Sequence, residues 1–295
     1  MSLVAIVLAW NGREDTLACL ESLREIDTIC VDNGSSDGTG EAVRKRFPAV
    51  ELLRSDENLG YAGGNNLGIR RALARGADWI LLLNNDTVAD AGIAGALEAA
   101  AGARPDAGVL ACKVLFADAP ERLMYAGGRF DTLLGYSGRL QGHGQPDDGR
   151  FDTLREVDRA TGEAMAVSRA AIELVGPLDE SLFAYVEDVE WCLRIRAAGC
   201  AVLFVPEARV WHRGSASTGG TRSTANLYYS ARNTLAVVER HRPLPRGLRG
   251  LRRGVVVGTH LAQALAHPRR RAALRAVREG WRDYRAGRLG PKAAT

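Results

Sequence analysis

Leu81–Asp90 reads LLLNNDTVAD, and with Trp79 and Ile80 before it an unbroken apolar run meets Asn84, Asn85 and Asp86. A short, wholly apolar run ended by turn residues marks a strand buried on both faces. Outward from this point the same beat recurs. LVAIVL, DTICVD and VELLRS read as strands, with REDTLACLESLRE, GTGEAVRKRF and GNNLGIRRALARG as helices between them. Downstream, DAGIAGALEAAAG reads as a helix and AGVLACKV as a strand. This alternation implies an α/β fold with a Rossmann-like, mostly parallel sheet flanked by helices. Such sheets bind ligands beyond the carboxyl ends of their strands. The loops there, AWNG, VDNGSSDGT, SDENLGYAGGNN and NNDT, are rich in Gly, Asn and Asp.

The remaining bounds are mild. The 295 residues, 46% hydrophobic and 25% charged, suit a soluble globular chain of one domain plus an extension. The start, MSLVAIVLAWNGRED, has no basic n-region and too short an apolar run for a bilayer, so neither a signal peptide nor a transmembrane helix is expected. Cys19, Cys30, Cys112, Cys192 and Cys200 form no CxxC pair and read as reduced thiols of a cytoplasmic protein. The net charge of +4 is uneven: from Arg240 onward 15 Lys and Arg face only Glu279 and Asp283, leaving 24 basic residues against 33 acids in the body.

Residues 117–156 are Gly-rich and read as loops or a β-hairpin. EAMAVSR then reads as a strand, VEDVEWCLRIRAAG as a helix and AVLFVP as a strand. The expected organisation is a domain over 1–240, with a nucleotide-binding half to about 115 and an acceptor half after it. A basic helical extension follows over 241–295.

Two nucleotide motifs fail: WNGRED follows the first strand without GxGxxG, and no GxxxxGK(S/T) occurs. Four constellations remain, each with a plain structural alternative. Asp86 with Asn84 or Asn85 offers hard oxygens for Mg²⁺ or Mn²⁺, or else a polar turn. Glu187, Asp188 and Glu190 crowd among Phe183, Tyr185 and Trp191, where desolvation raises carboxyl pKa values as a general base requires; simple helix-dipole complementarity is the alternative. His212 is a metal ligand or an ordinary histidine. Gly60, Gly63 and Gly64 precede a helix that could receive a phosphate, or they form a flexible loop.

Taken together, VDNGSSDGT, NLGYAGGNNLGI, LLLNNDT, TGEAMAVSR, LDESLFAYVEDVEWCLR and VPEARVWHRGS resemble the family-2 glycosyltransferases of GT-A fold, in their rhamnosyltransferase-like branch. The segments fall in the family's order over about residues 3 to 218. The resemblance implies that Asp32 reads a pyrimidine base, and that Trp10, Asn11, Asn33, Gly63, Gly64, Asn65, Asn85, Gly162 and Glu163 surround a nucleotide sugar. It assigns the metal to Asp86, His212 and Asn84, and catalysis to Asp188 with Glu187 beside it. The chain departs from the pattern at Asn84, where the family's DxD position has Asp, and at Glu163, where the branch often has a small residue.

The resulting expectation is an inverting, metal-dependent transfer from a nucleotide sugar, dTDP-rhamnose or a UDP-sugar, to a hydroxyl of a glycan or lipid-linked acceptor. A nucleotidyltransferase and a non-catalytic nucleotide-sugar-binding protein are the alternatives. For the basic tail, peripheral contact with the inner face of an anionic membrane competes with a solvated helical cap; nucleic-acid binding lacks a recognition motif.

Overall fold

A computed structural model describes residues 1–137, 140–214 and 223–293. The first half alternates as expected: β1 (Leu3–Ala9), α1 (Arg13–Ser22), β2 (Asp27–Asn33), α2 (Thr39–Arg46), β3 (Glu51–Ser55), α3 (Gly60–Ala74) and β4 (Trp79–Asn84). Next come β5 (Thr87–Ala89), α4 (Ile93–Ala103) and β6 (Ala107–Phe116). The Gly-rich stretch holds β7 (Leu123–Tyr125), a hairpin of β8 (Phe130–Asp131) and β9 (Tyr136–Ser137), and β10 (Arg155–Glu156). The rest is β11 (Ala164–Ser168), α5 (Arg169–Val175), a 3₁₀ turn at Glu180–Leu182, α6 (Glu187–Ala197), β12 (Ala201–His212), α7 (Thr224–His241), α8 (Arg246–Leu265) and α9 (Arg270–Arg285).

The main sheet has the order β10-β12-β6-β11-β4-β1-β2-β3. β3, β2, β1 and β4 are parallel neighbours, and β12 is parallel to β6. β11 is antiparallel to both β4 and β6, so it splits a sheet whose other long strands share one direction. Its peptide hands the chain back to the carboxyl edge: Asn84 N–H donates to Glu163 O, 3.1 Å. One apolar core extends from Val4 on β1 to Val210 on β12 and spans both expected halves of the domain.

β12 is longer than AVLFVP suggested. It continues past Pro206 through a break in register between Val205 and Arg209, then pairs with β6 again and with β5. Proline lacks the ladder N–H, and the bulge accommodates that defect. The extension makes His212 the last residue of the strand, opposite Thr87. α3 also starts earlier than expected, at Gly60. Gly64 and Gly68 let it lie directly on β1: a Cβ on Gly64 would come within 2.4 Å of Leu8, and one on Gly68 within 2.7 Å of Ile6.

α7 was not foreseen from the sequence. Ser223 caps it, accepting from Asn226 N–H, and its inner face buries Leu227, Tyr228, Ala231, Leu235 and Val238. It packs on α9, with Tyr228 Oη donating to Asp283. Arg232 is buried and donates to Gly290 O and Leu182 O. The basic extension is helical, but one of its arginines, Arg252, faces inward, as does Arg232 on α7. All five cysteines are free thiols. Among the described residues no helix is long and apolar enough to cross a membrane.

Candidate active site

The carboxyl ends of β1, β2 and β4 open onto a cavity of about 360 Å³. Its sheet side carries Leu8, Trp10, Asn33, Asn84, Asn85 and Asp86; Gly60 and Tyr61 of α3 join them. The opposite wall is Phe183, Ala184 and Tyr185, with Ala225 and Tyr229 of α7. Phe183 stacks on Tyr229 with ring centroids 5.3 Å apart. Tyr61 and Tyr229 are site residues that sequence reading missed. The signal for Tyr229 was the apolar helical period of TANLYYSARNTLAVV.

Asp86 lines the cavity, and His212 lies against it from β12. Both are buried, and His212 Nε2 lies 2.9 Å from Asp86 Oδ1. Burial pulls the imidazole pKa down, but the Asp86 charge, helped by Glu163, outweighs it and holds His212 above its ordinary 6.5. Adjacent ligands of an octahedral ion at 2.0–2.1 Å lie about 2.9 Å apart, so this pair fits one edge of a Mg²⁺- or Mn²⁺-type coordination sphere. Asn84 lines the cavity beside them. Among the described residues no three His, Cys, Asp or Glu side chains cluster as a self-sufficient metal cage. A metal held by Asp86 and His212 would need further ligands from outside such a cluster. Of the VWHRGSAST segment, residues 215–218 lie outside the described residues.

The second group is acidic. Gly162 N–H donates to Asp188 Oδ2 at 3.0 Å, and Val189 N–H donates to Oδ1 at 2.7 Å. The Gly162 carbonyl accepts from Tyr61 Oη at 2.7 Å, so one residue joins the cavity wall to Asp188. Burial raises the Asp188 pKa; Arg159 opposes this and Glu163 adds to it. Glu187 is driven well above the ordinary range by burial, Asp188 and Glu163. The Glu163 charge raises the pKa of His212 as well as those of Asp188 and Glu187, so Glu163 is near both the Asp86–His212 pair and the acidic pair. Its Oε2 and the Oε2 of Glu187 are buried without a hydrogen-bond partner. Glu190 separates from this group. It is clasped by Arg194 and His241, and although burial raises its pKa, those partners outweigh this and hold it low.

α6 begins after a loop with unusual backbone. Phe183, Tyr185 and Val186 all have positive φ, at 65°, 66° and 75°. This is costly for non-glycine residues, most of all for β-branched Val186. Asn233 on α7 holds the loop, its buried Nδ2 donating to the carbonyls of Leu182, Ala184 and Tyr185 at 2.9, 3.0 and 2.8 Å.

Several expected nucleotide-sugar contacts have structural duties. Asp32 is fully buried and does not line the cavity; Oδ1 accepts from Ser35 N–H and Oδ2 lies 3.6 Å from Arg54. Its neighbour Asn33 points to the cavity side and binds the Asn58–Gly60 turn. Asn85 Nδ2 is used on Asn11 O and Thr16 Oγ1. Asn11, at φ 61°, accepts from Ser36 N–H. Gly63 and Gly64 lie within α3, where Gly64 serves the helix–strand approach rather than a phosphate loop. Asn65 donates back to Tyr61 O, leaving Oδ1 buried without a partner.

Comparison with known proteins decides the family. The sequence profile described as glycosyl transferase family 2 matches residues 4–142. An N-acetylglucosaminyl-diphospho-decaprenol L-rhamnosyltransferase of Mycobacterium tuberculosis is 29% identical over 244 residues, 75% of this chain and 78% of that protein. The chain carries the pattern of glycosyl transferase family 2 over residues 4–142. Within the family it is rhamnosyltransferase-like. A hexosyltransferase of low-salt glycan biosynthesis from Haloferax volcanii is 26% identical over 197 residues, 65% of this chain and 60% of that one. The GT-A fold recurs in a Pyrobaculum calidifontis mannosyltransferase solved with GDP-Man and Mn²⁺, at TM-score 0.57 and 16% identity over 97% of this chain and 75% of that one. It recurs in S. aureus TarS 1–349 with UDP-GlcNAc, at TM-score 0.56 and 14% identity over 98% and 93%.

Proposed function

We propose that this glycosyltransferase moves a sugar from a nucleotide-sugar donor to a hydroxyl of a glycan or lipid-linked acceptor, with inversion at the anomeric carbon. The observation that carries this reading is the division of the site. Asp86, with His212 against it, lines the cavity, and Asp188, with Glu187 next to it in sequence, adjoins that cavity through Gly162 and Tyr61. The curated relative's name specifies rhamnosyl transfer to a lipid diphosphate. The apolar wall of Phe183, Ala184 and Ala225 suits a 6-deoxy sugar, whose methyl needs no hydrogen bond. dTDP-rhamnose is accordingly the first donor to try, and a UDP-sugar the second.

Asp86 and His212, with the Asn84 amide beside them, would hold a Mg²⁺ or Mn²⁺ ion, which supplies positive charge to a diphosphate leaving group. Asp188 accepts the proton of the acceptor hydroxyl. Its two backbone hydrogen bonds fix the carboxylate, and its raised pKa strengthens it as a base. The strained loop sets the aromatic wall that orients the sugar and excludes water. Attack on the face opposite the leaving group inverts configuration.

The test is a panel of nucleotide sugars incubated with the chain and Mn²⁺, with and without lipid-diphosphate acceptors. Nucleoside diphosphate release from dTDP-rhamnose and an inverted linkage by NMR are expected. Release of pyrophosphate from nucleoside triphosphates, or donor binding without turnover, would overturn the reading.

A further inference from the structure

The outward face of α8 is apolar where a surface helix is ordinarily polar. Leu248, Leu251 and Leu265 are 53%, 64% and 48% exposed. Val255, Gly258 and Ala262 fall between them on the same helical row, which carries no charge. Two polar residues of this helix turn inward instead. Arg252 is buried and donates to Thr132 O and Arg242 O, and His260 is buried against the Val256 carbonyl. The contact with Thr132 sets the β8–β9 hairpin beside α8, and the tip adds Leu133 and Leu134, 39% and 43% exposed.

α9 packs against α8 and shows the complementary pattern. Its buried side is Ala273, Ala276, Val277 and Gly280. Its exposed side repeats arginine at 271, 275, 278, 282 and 285, the spacing of one helical face. Arg271, Arg275 and Arg278 make no ion pair or hydrogen bond among the described residues, whereas most arginines of the acidic body are paired. An uncharged apolar row beside an arginine row of which only Arg282 has an acidic partner, Asp283, is costly for a surface facing water alone.

We propose that α8, the 132–134 hairpin tip and α9 form a docking face for an anionic lipid bilayer. The leucines enter the interfacial region and the arginine row meets the headgroups. Charge selects this occupant: five arginines along one face call for a dense negative surface, and the exposed leucines call for an apolar phase beneath it. The inference does not depend on the donor or acceptor proposed above.

Flotation of the full chain with vesicles tests it. Strong binding to phosphatidylcholine–phosphatidylglycerol vesicles is expected, with little to phosphatidylcholine alone and loss as salt rises. Leu248→Ser/Leu251→Ser and Arg271→Glu/Arg275→Glu/Arg278→Glu should each reduce the bound fraction about tenfold or more. Nucleotide binding by calorimetry should match wild type, which shows that the variants are folded. Wild type that stays off anionic vesicles overturns the proposal, as do variants that bind as wild type does. So does a wild-type dimer that the leucine variant converts to monomer without any vesicle binding, which would assign the face to a second copy of the chain.

Discussion

Asn233 Nδ2 lies 2.8 Å from the carbonyl oxygen of Tyr185, although the two residues belong to different layers of the fold. The same nitrogen reaches Leu182 and Ala184, so one side chain of α7 holds three residues' worth of loop in positive-φ backbone. Strain of this kind persists only where the surroundings over-determine it. Asn233→Ala removes a donor from the carbonyls of Leu182, which keeps Arg232, and of Ala184 and Tyr185, and is expected to lower stability by about 1–3 kcal/mol. The loss should be larger in kcat than in donor affinity, because the loop sets both the aromatic wall and the start of α6. Chemical denaturation alongside steady-state kinetics checks both; a variant of wild-type stability and rate would show that the loop holds itself.

Asp188 and Glu190 are two residues apart, yet their surroundings differ. Asp188 faces Gly162 and the cavity wall, while Glu190 is locked to Arg194 and His241. Asp188→Asn should keep donor binding and cut transfer roughly 10²-fold or more, by removing general-base action. Glu190→Gln should instead lower the melting temperature and leave kcat largely intact. Transfer by Asp188→Asn at near wild-type rate would end the case for this base.

Much of this was legible in the sequence. Periodicity located β1 to β4 and α1 to α3, because buried parallel strands are apolar throughout and the helices between them are not. The reversal of β11 was not legible: AMAVS has the same apolar pattern in either direction. The glycines of NLGYAGGNN read as a loop because glycine disfavours helix, but contact with β1 favours it there. Side-chain direction was beyond reach as well. Asp32 and Asn33 are adjacent, and only their register on β2 shows that Asn33 faces the cavity. Asn233 had no local signature, since its partners are about fifty residues away.

The acidic pair makes stability depend on pH. Glu187 and Asp188 both have folded-state pKa values raised above the ordinary 4.5 and 3.8, so the folded chain retains protons that the unfolded chain has released. Their contribution to stability is fully present below the ordinary values and is lost as pH rises through the raised ones. Glu187→Gln, which keeps the shape of the protonated acid, should match wild type near about pH 4 and exceed it at neutral and alkaline pH. Thermal melts across that range check the sign. An undiminished decline in the variant would assign the loss to other groups.

A metal held at Asp86 and His212 would have a poor ligand set. Asp86 supplies one negative charge, His212 none when neutral, and Asn84 an amide where a second carboxylate would have strengthened the site. Hard cations in such settings take much of their coordination from bound phosphates. Mn²⁺ is therefore expected to bind weakly to the chain alone and clearly once a nucleoside diphosphate is present. Its affinity should fall in acid, because His212 must shed a proton that Asp86 helps it keep. Asp86→Ala should abolish metal-dependent transfer, and His212→Ala should raise the Mn²⁺ concentration required for half-maximal rate. Calorimetry with Mn²⁺, with and without dTDP, reads the first expectation; activity against Mn²⁺ after chelation reads the second. Full activity in excess chelator would mean that protein cations, not a metal held at Asp86 and His212, carry the diphosphate.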